Sequence, residues 1–247
     1  MIEQLRLIKA QACFIIDDKL RGCLSMCGRY TITVLLEELM LKYYTEDVTI
    51  KHYAPKYNAA PMQYIPAVIG TGAGNRIGQL RWGLVPAWAA DDRSGSKMIN
   101  IRAETLRDKP SFKKLLSSRR CIIPADGFYE WKNQGGSKQP MRIVMRDGGI
   151  FSLAGIYDIW VNTDGAKLGT CSIITTEPNV LVAEIHNRMP VILRREDEAS
   201  WLERSNQDAN SLAQLMKPYD ASKMRAYPVS PKVGNVRNDS KELLEEA

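Results

Sequence analysis

At 247 residues, with about 150 residues to a typical domain, the chain has room for one large domain or two small ones and for a well-buried core. Apolar residues make up 45% and charged residues 25%, which excludes a wholly disordered, collagen-like or low-complexity protein, and no apolar run approaches the roughly 18 residues that would span a bilayer. The excess of 34 basic over 28 acidic residues, a net charge of +6 at neutral pH, permits a polyanionic partner and equally fits a solvated basic surface.

Residues 1–25 read as a short amphipathic extension. Its apolar run Ala10 to Ile16, preceded by Glu3 and followed by Asp17-Asp18, makes a poor signal peptide, so the chain is read as cytoplasmic. Met26-Cys27-Gly28-Arg29-Tyr30 opens a different texture and sets the first boundary. Thr33 ahead of Val34-Leu35-Leu36-Glu37-Glu38-Leu39-Met40 predicts an N-capped helix with an aliphatic core face. Tyr64 to Ile69, the loop Gly70-Thr71-Gly72-Ala73-Gly74-Asn75 and Ile77 to Trp82 predict a hairpin. No helical pattern follows that loop, so its G-x-G is not read as a phosphate loop. Arg142 to Met145, Ile150 to Trp160 and Leu168 to Thr175 alternate with the turn signals Asp147-Gly148-Gly149 and Asn162-Thr163-Asp164-Gly165, which predict antiparallel hairpins. Helical patterns fall at Ser111 to Ser117, Val180 to Ile185, Asp197 to Arg204 and Asn210 to Met216. Strands dominate without regular β-α alternation, so the class is α+β. No linker interrupts the middle of the chain; a single domain over residues 26–230 is expected, followed by a 231–247 tail that is loose or a short helix.

Five cysteines, Cys13, Cys23, Cys27, Cys121 and Cys171, include no C-x-x-C pair, and His52 and His186 are the only histidines. No disulfide framework, metal site or cofactor is expected from such a set. The densest basic stretch runs from Arg102 to Arg120, with Arg107, Lys109, Lys113, Lys114 and Arg119 against Glu104 and Asp108. In a groove it would collect phosphates beside Trp82, Trp88 and Trp131 as stacking surfaces; it also fits a solvated helix face beside core tryptophans. Glu130 lies between aromatics in Asp126-Gly127-Phe128-Tyr129-Glu130-Trp131, after the apolar run Cys121-Ile122-Ile123-Pro124. Desolvation there would suit it to proton transfer, while an exposed loop glutamate is the plainer outcome. His186, just past a helical pattern, fits either a structural or an acid-base role.

Six ordered motifs carry a resemblance: Met26-Cys27-Gly28-Arg29-Tyr30, Tyr57-Asn58-Ala59-Ala60-Pro61, Trp82-Gly83-Leu84-Val85-Pro86 with Trp88, Asn100-Ile101-Arg102-Ala103-Glu104-Thr105, Cys121 through Trp131, and His186-Asn187-Arg188-Met189-Pro190. Together, from Met26 to about Val229, they resemble the SOS response-associated peptidase family, whose members are also described as abasic-site processing proteins. The resemblance implies a barrel-like, mainly antiparallel sheet with surrounding helices. It implies loss of Met26 and reaction of an N-terminal Cys27 with the ring-opened aldehyde of an abasic site in single-stranded DNA. The α-amine and thiol together would close a thiazolidine, which an internal cysteine cannot do because its nitrogen is an amide. By the same resemblance Asn100 orients the cysteine end, Glu130 shuttles protons, and His186 opens the deoxyribose ring and supports a lyase side reaction. Arg29, Arg102 and Arg188 would grip the DNA backbone, Asn58, Pro61 and Trp82 would shape the groove, and Thr175 would lie near the pocket. The partner implied is single-stranded DNA carrying abasic sites, with no membrane, for a monomer that is nucleoid-associated when bound.

The 25 residues ahead of Met26 depart from that pattern, since a peptide bond to Cys27 removes the amine. Translation from Met26 is the favoured explanation, beside proteolytic removal or an inactive protein. Two other functions stay open: an autoprotease that cleaves before Cys27, and a noncatalytic single-strand DNA-binding module.

Overall fold

An unbroken apolar run suits a strand covered on both faces, and all of Arg120–Ala125 is buried in the computed structural model, which describes residues 28–247. Cys13, Cys23, Cys27 and the 1–25 extension lie outside the described residues. In chain order the elements are β1 (Tyr30–Ile32), α1 (Leu36–Lys42), β2 (Lys56–Ala59), β3 (Tyr64–Gly70), β4 (Asn75–Trp82), β5 (Asn100–Arg102), α2 (Ala103–Asp108), α3 (Pro110–Ser118), β6 (Arg120–Ala125), β7 (Gly127–Gln134), β8 (Ser137–Met145), β9 (Phe151–Val161), β10 (Lys167–Thr176), α4 (Val180–Ala183), β11 (Met189–Pro190), β12 (Ile192–Leu193), α5 (Glu198–Leu202), α6 (Ala209–Gln214) and β13 (Met224–Pro228). No described helix is long and apolar enough to cross a membrane.

Five strands close on themselves. β10 pairs β4, β4 pairs β3, β3 pairs β6, β6 pairs β9, and β9 returns to β10. Every pairing in this ring is antiparallel except β10 with β4, and closure leaves the ring without a free edge. β5, parallel to β10, and the short β11 and β12 attach to it. A second sheet runs in the order β13-β8-β7-β1-β2. This is the mainly antiparallel α+β barrel with surrounding helices that the resemblance implied.

The chain passes from barrel to sheet at Asp126, the single residue between β6 and β7. Gly127 follows because a Cβ there would lie 2.8 Å from Arg142 Nε and from Thr31 Oγ1. Two local expectations change. Asp147-Gly148-Gly149 does not close a hairpin: β8 belongs to the five-stranded sheet and β9 to the barrel, so the turn carries the chain between layers. Thr33 does not cap α1; its N–H and hydroxyl both donate to Asp126 Oδ2 at 2.6 Å, and Glu38 Oε2 instead reaches back to the Leu35 N–H at 2.8 Å. The 231–247 segment folds back in two short 3₁₀ turns, Pro231–Gly234 and Lys241–Leu244. Its Val233 and Leu243 are buried with Tyr129, Val144, Tyr227 and Val229 in a small core separate from the main one.

Candidate functional site

β7 alternates, so Phe128 and Glu130 share one face and Tyr129 takes the other. Phe128 joins the main core and Tyr129 the small one. Glu130 is 3% exposed, and its Oε1 lies 3.8 Å from His186 Nδ1. His186 is delivered by α4, which is capped by Asn179 Oδ1 accepting from Val182 N at 2.9 Å. The His186 N–H donates to Val182 O at 2.8 Å, closing the turn that aims the ring. Nδ1 sits 3.2 Å from both the N and the O of Arg188. It can accept from that N–H when the ring is neutral and donate to that carbonyl when protonated. A buried carboxylate and an imidazole this close can both exchange protons with a group bound beside them.

Around the pair, β5 and β11 converge on the end of β10. Asn100 lies opposite Ile173, Arg102 opposite Thr175, and Thr175 opposite Pro190. Arg188 locks this corner: Nη1 and Nη2 donate to Glu104 Oε1 and Oε2 at 3.0 Å each, and Nη2 also donates to Thr175 O at 2.8 Å. The Arg188 hydrogen bond holds the Glu104 carboxyl below its ordinary range. In the sequence Glu104 is one of two acids, with Asp108, in the basic stretch and a member of the Asn100–Thr105 motif, with no role assigned to it.

The remaining expected positions are distributed as follows. Arg102 is exposed at the end of β5 and Pro61 half-buried just after β2. Asn58 is 1% exposed and turns its amide to the protein: Oδ1 accepts from Arg29 Nη1 at 2.9 Å. Arg29 also donates to Val233 O at 2.8 Å and Gly234 O at 3.1 Å. Trp82 is fully buried, donates from Nε1 to Ile99 O at 2.8 Å and packs edge-on to Tyr30, so it offers no stacking face. Among the three tryptophans named as stacking surfaces, Trp88 is the exposed one, at 79%. The basic stretch does not form one surface: Arg120 is buried and donates to the carbonyls of Trp201, Leu116, Ser117 and Glu203. Cys27 lies outside the described residues.

Comparison with known proteins supplies the context for this geometry. "Abasic site processing protein YoqW" of Bacillus subtilis (strain 168) is 49% identical over 222 residues, 89% of this chain and 99% of that protein. "Abasic site processing protein HMCES" of Gallus gallus is 34% identical over 225 residues, covering 78% of this chain and 66% of that protein. A crystal structure of a protein from Bacteroides thetaiotaomicron superposes with a TM-score of 0.81 at 29% identity, over 90% of this chain and all of that one. The model of the SOS response associated peptidase family, SRAP, matches residues 26–236. That match takes in the barrel, the sheet and every position of the site, and the chain belongs to the SRAP family.

Proposed function

We propose that this protein processes abasic sites in single-stranded DNA by forming a covalent crosslink through Cys27, once its α-amine is free. The Cys27 amine adds to the aldehyde carbon of the ring-opened sugar. The carbinolamine loses its hydroxyl as water, leaving an imine. The Cys27 sulfur then adds to the imine carbon, and nitrogen takes up the thiol proton, closing a five-membered thiazolidine. The net change is aldehyde plus aminothiol to thiazolidine plus one water. An α-amine titrates close to neutrality, so both nucleophiles are available there.

Glu130 gives and takes the protons of carbinolamine dehydration and ring closure. His186 removes the proton of the sugar's anomeric hydroxyl while the ring oxygen is protonated, opening the ring to the aldehyde. Asn100 orients the cysteine end, Thr175 lines the pocket, and Arg102 takes a phosphate from its exposed position. An abasic nucleotide has no base to unstack, so bringing its sugar to a pocket costs less than flipping an intact nucleotide.

The buried Glu130–His186 pair, 3.8 Å apart, is the observation that supports this chemistry most directly. The names of the relatives support the substrate. The thiols that the structure describes point the same way: Cys121 and Cys171 are fully buried, and burial pushes both thiols well above their ordinary range. Neither is a nucleophile in waiting.

Intact mass under denaturing conditions, before and after incubation with single-stranded DNA carrying one abasic site, tests the proposal. The expected result is a chain that begins at Cys27 and gains the oligonucleotide mass less one water, with no adduct for Cys27→Ala. Full crosslinking by Cys27→Ser would overturn the thiazolidine.

A further inference from the structure

We infer that the C-terminal segment 233–239 positions the N-terminal nucleophile, acting through Asn58 and Arg29; this rests on Cys27 being the reacting residue. Arg29 is two residues from Cys27, and two residues span at most about 7 Å of extended chain. The point at which Arg29 is fixed therefore sets where the reacting end can go. Arg29 is fixed at both its backbone and its side chain. Its carbonyl accepts from Tyr129 N at 3.0 Å, one residue from Glu130. Its guanidinium is held by Asn58 Oδ1, Val233 O and Gly234 O.

The segment is itself tied down at the same place. Asn58 Nδ2 donates to Val233 O at 3.1 Å, Asn235 O at 3.2 Å and Asn238 O at 2.8 Å. Asp239 Oδ1 accepts from Tyr57 N at 2.6 Å and Asn58 N at 2.9 Å, fastening the segment to β2. Val233 packs with Tyr129, on the face of β7 opposite Glu130. One strand thus receives the segment on one face, carries the proton-transfer carboxylate on the other, and holds the Arg29 carbonyl through its own N–H. Hydrogen bonds are directional, so this set restrains the direction as well as the position of the chain leading to Cys27. Arg29 and Asn58 are then positioning residues, in contrast to the phosphate-gripping and groove-shaping roles that the resemblance implied.

The test separates rate from affinity in the protein whose chain begins at Cys27 and is otherwise intact. Asp239 is exposed, so Asp239→Ala removes the fastening without opening a core, and thermal melting checks that the variant is folded. Arg29→Lys keeps a charge for phosphate and loses the three-way fork. Two quantities are read: the single-turnover crosslinking rate at saturating abasic-site oligonucleotide, and the anisotropy-derived Kd for an intact single strand. Asp239→Ala and Arg29→Lys should each slow the saturated rate by about tenfold or more, with Kd within about twofold of wild type. Asp239→Asn, which keeps an acceptor oxygen, should restore the rate. A wild-type protein that crosslinks while both variants match its rate would overturn the inference alone, and so would variants that lose affinity and keep the rate. A wild-type protein with a free Cys27 and no adduct would overturn the reading of Cys27, and the inference with it.

Discussion

The barrel that carries β10 and the five-stranded sheet that carries β7 meet at the site, and they are held together in different ways. In the barrel, β6, β9 and β10 bury apolar side chains on both faces; Ile122, Ile123, Leu153, Ile156, Ile173 and Ile174 are all buried. Its strength is area removed from water, which has no preferred direction. The sheet adds Tyr30, Ile32, Phe128 and Ile143 to the same core and is further fixed at its junction with the barrel by charged and polar groups. Asp126 accepts from Thr31 Oγ1, Thr33 N and Thr33 Oγ1, and Arg142 Nη2 at 3.3 Å adds the opposite charge. Arg142 also donates to Tyr227 OH at 2.6 Å and to Thr31 Oγ1 at 3.0 Å. Apolar packing supplies a rigid wall, whereas the polar set fixes how β1 and β7 are aimed, and Arg29 and Glu130 are placed by those two strands.

Removing one charge from the buried Asp126–Arg142 pair is the strongest way to break this contrast. Asp126→Ala should cost about 3–5 kcal/mol in urea unfolding, because Arg142 is left buried and uncompensated. It should slow crosslinking even where the protein remains folded. Ile123→Ala in the barrel should cost about 2–5 kcal/mol through its cavity and leave the crosslinking rate of the folded protein at the wild-type value. Equal rate losses in the two variants would dissolve the distinction between a wall and an aiming device.

The same division explains what could be read from the sequence. The β3–β4 hairpin was legible because its apolar run and its glycine loop are local, with Gly72 at φ 88° and Gly74 at φ 154° making the turn. α3 was legible from its apolar spacing, and Pro110 at its first turn adds a start signal. Closure of the barrel was not legible, because it depends on β10 lying parallel to the distant β4. Thr33 looked like a helix cap because its true partner, Asp126, is 93 residues away. Glu130 stood out as an acid among aromatics after a buried strand, yet its pairing with His186 depends on how two layers dock.

Trp82 sharpens the contrast at the barrel rim. Its ring is sealed between Tyr30 and the core, and its indole N–H holds the Ile99 carbonyl immediately before β5. Trp82→Phe keeps an aromatic ring and loses the indole bond, while the Ile99 carbonyl still accepts from Ile173 N at 3.0 Å, so it should lower stability by about 0.5–1.5 kcal/mol while the Kd for intact single-stranded DNA stays at the wild-type value. Loss of DNA affinity at unchanged stability would mean that the indole touches DNA and that the rim opens.

The smallest effect, and the one that carries a sign in pH, comes from the Glu104–Arg188 clamp. Arg188 holds the Glu104 carboxyl below its ordinary range. A depressed folded-state pKa contributes stability that is fully present above the unfolded value and lost as pH falls through the folded one. The Glu104 side chain is 47% exposed, so screening limits the contribution to a few tenths up to about 1 kcal/mol. Glu104→Gln should therefore be less stable than wild type at neutral pH by that amount, and the gap should close as acid protonates Glu104. A gap that stays constant into acid would mean that the residue acts through packing. Because Arg188 also carries the backbone groups facing His186 Nδ1, the same variant should shift the pH profile of crosslinking more than it shifts DNA affinity, which ties the half-exposed clamp to the buried pair it frames.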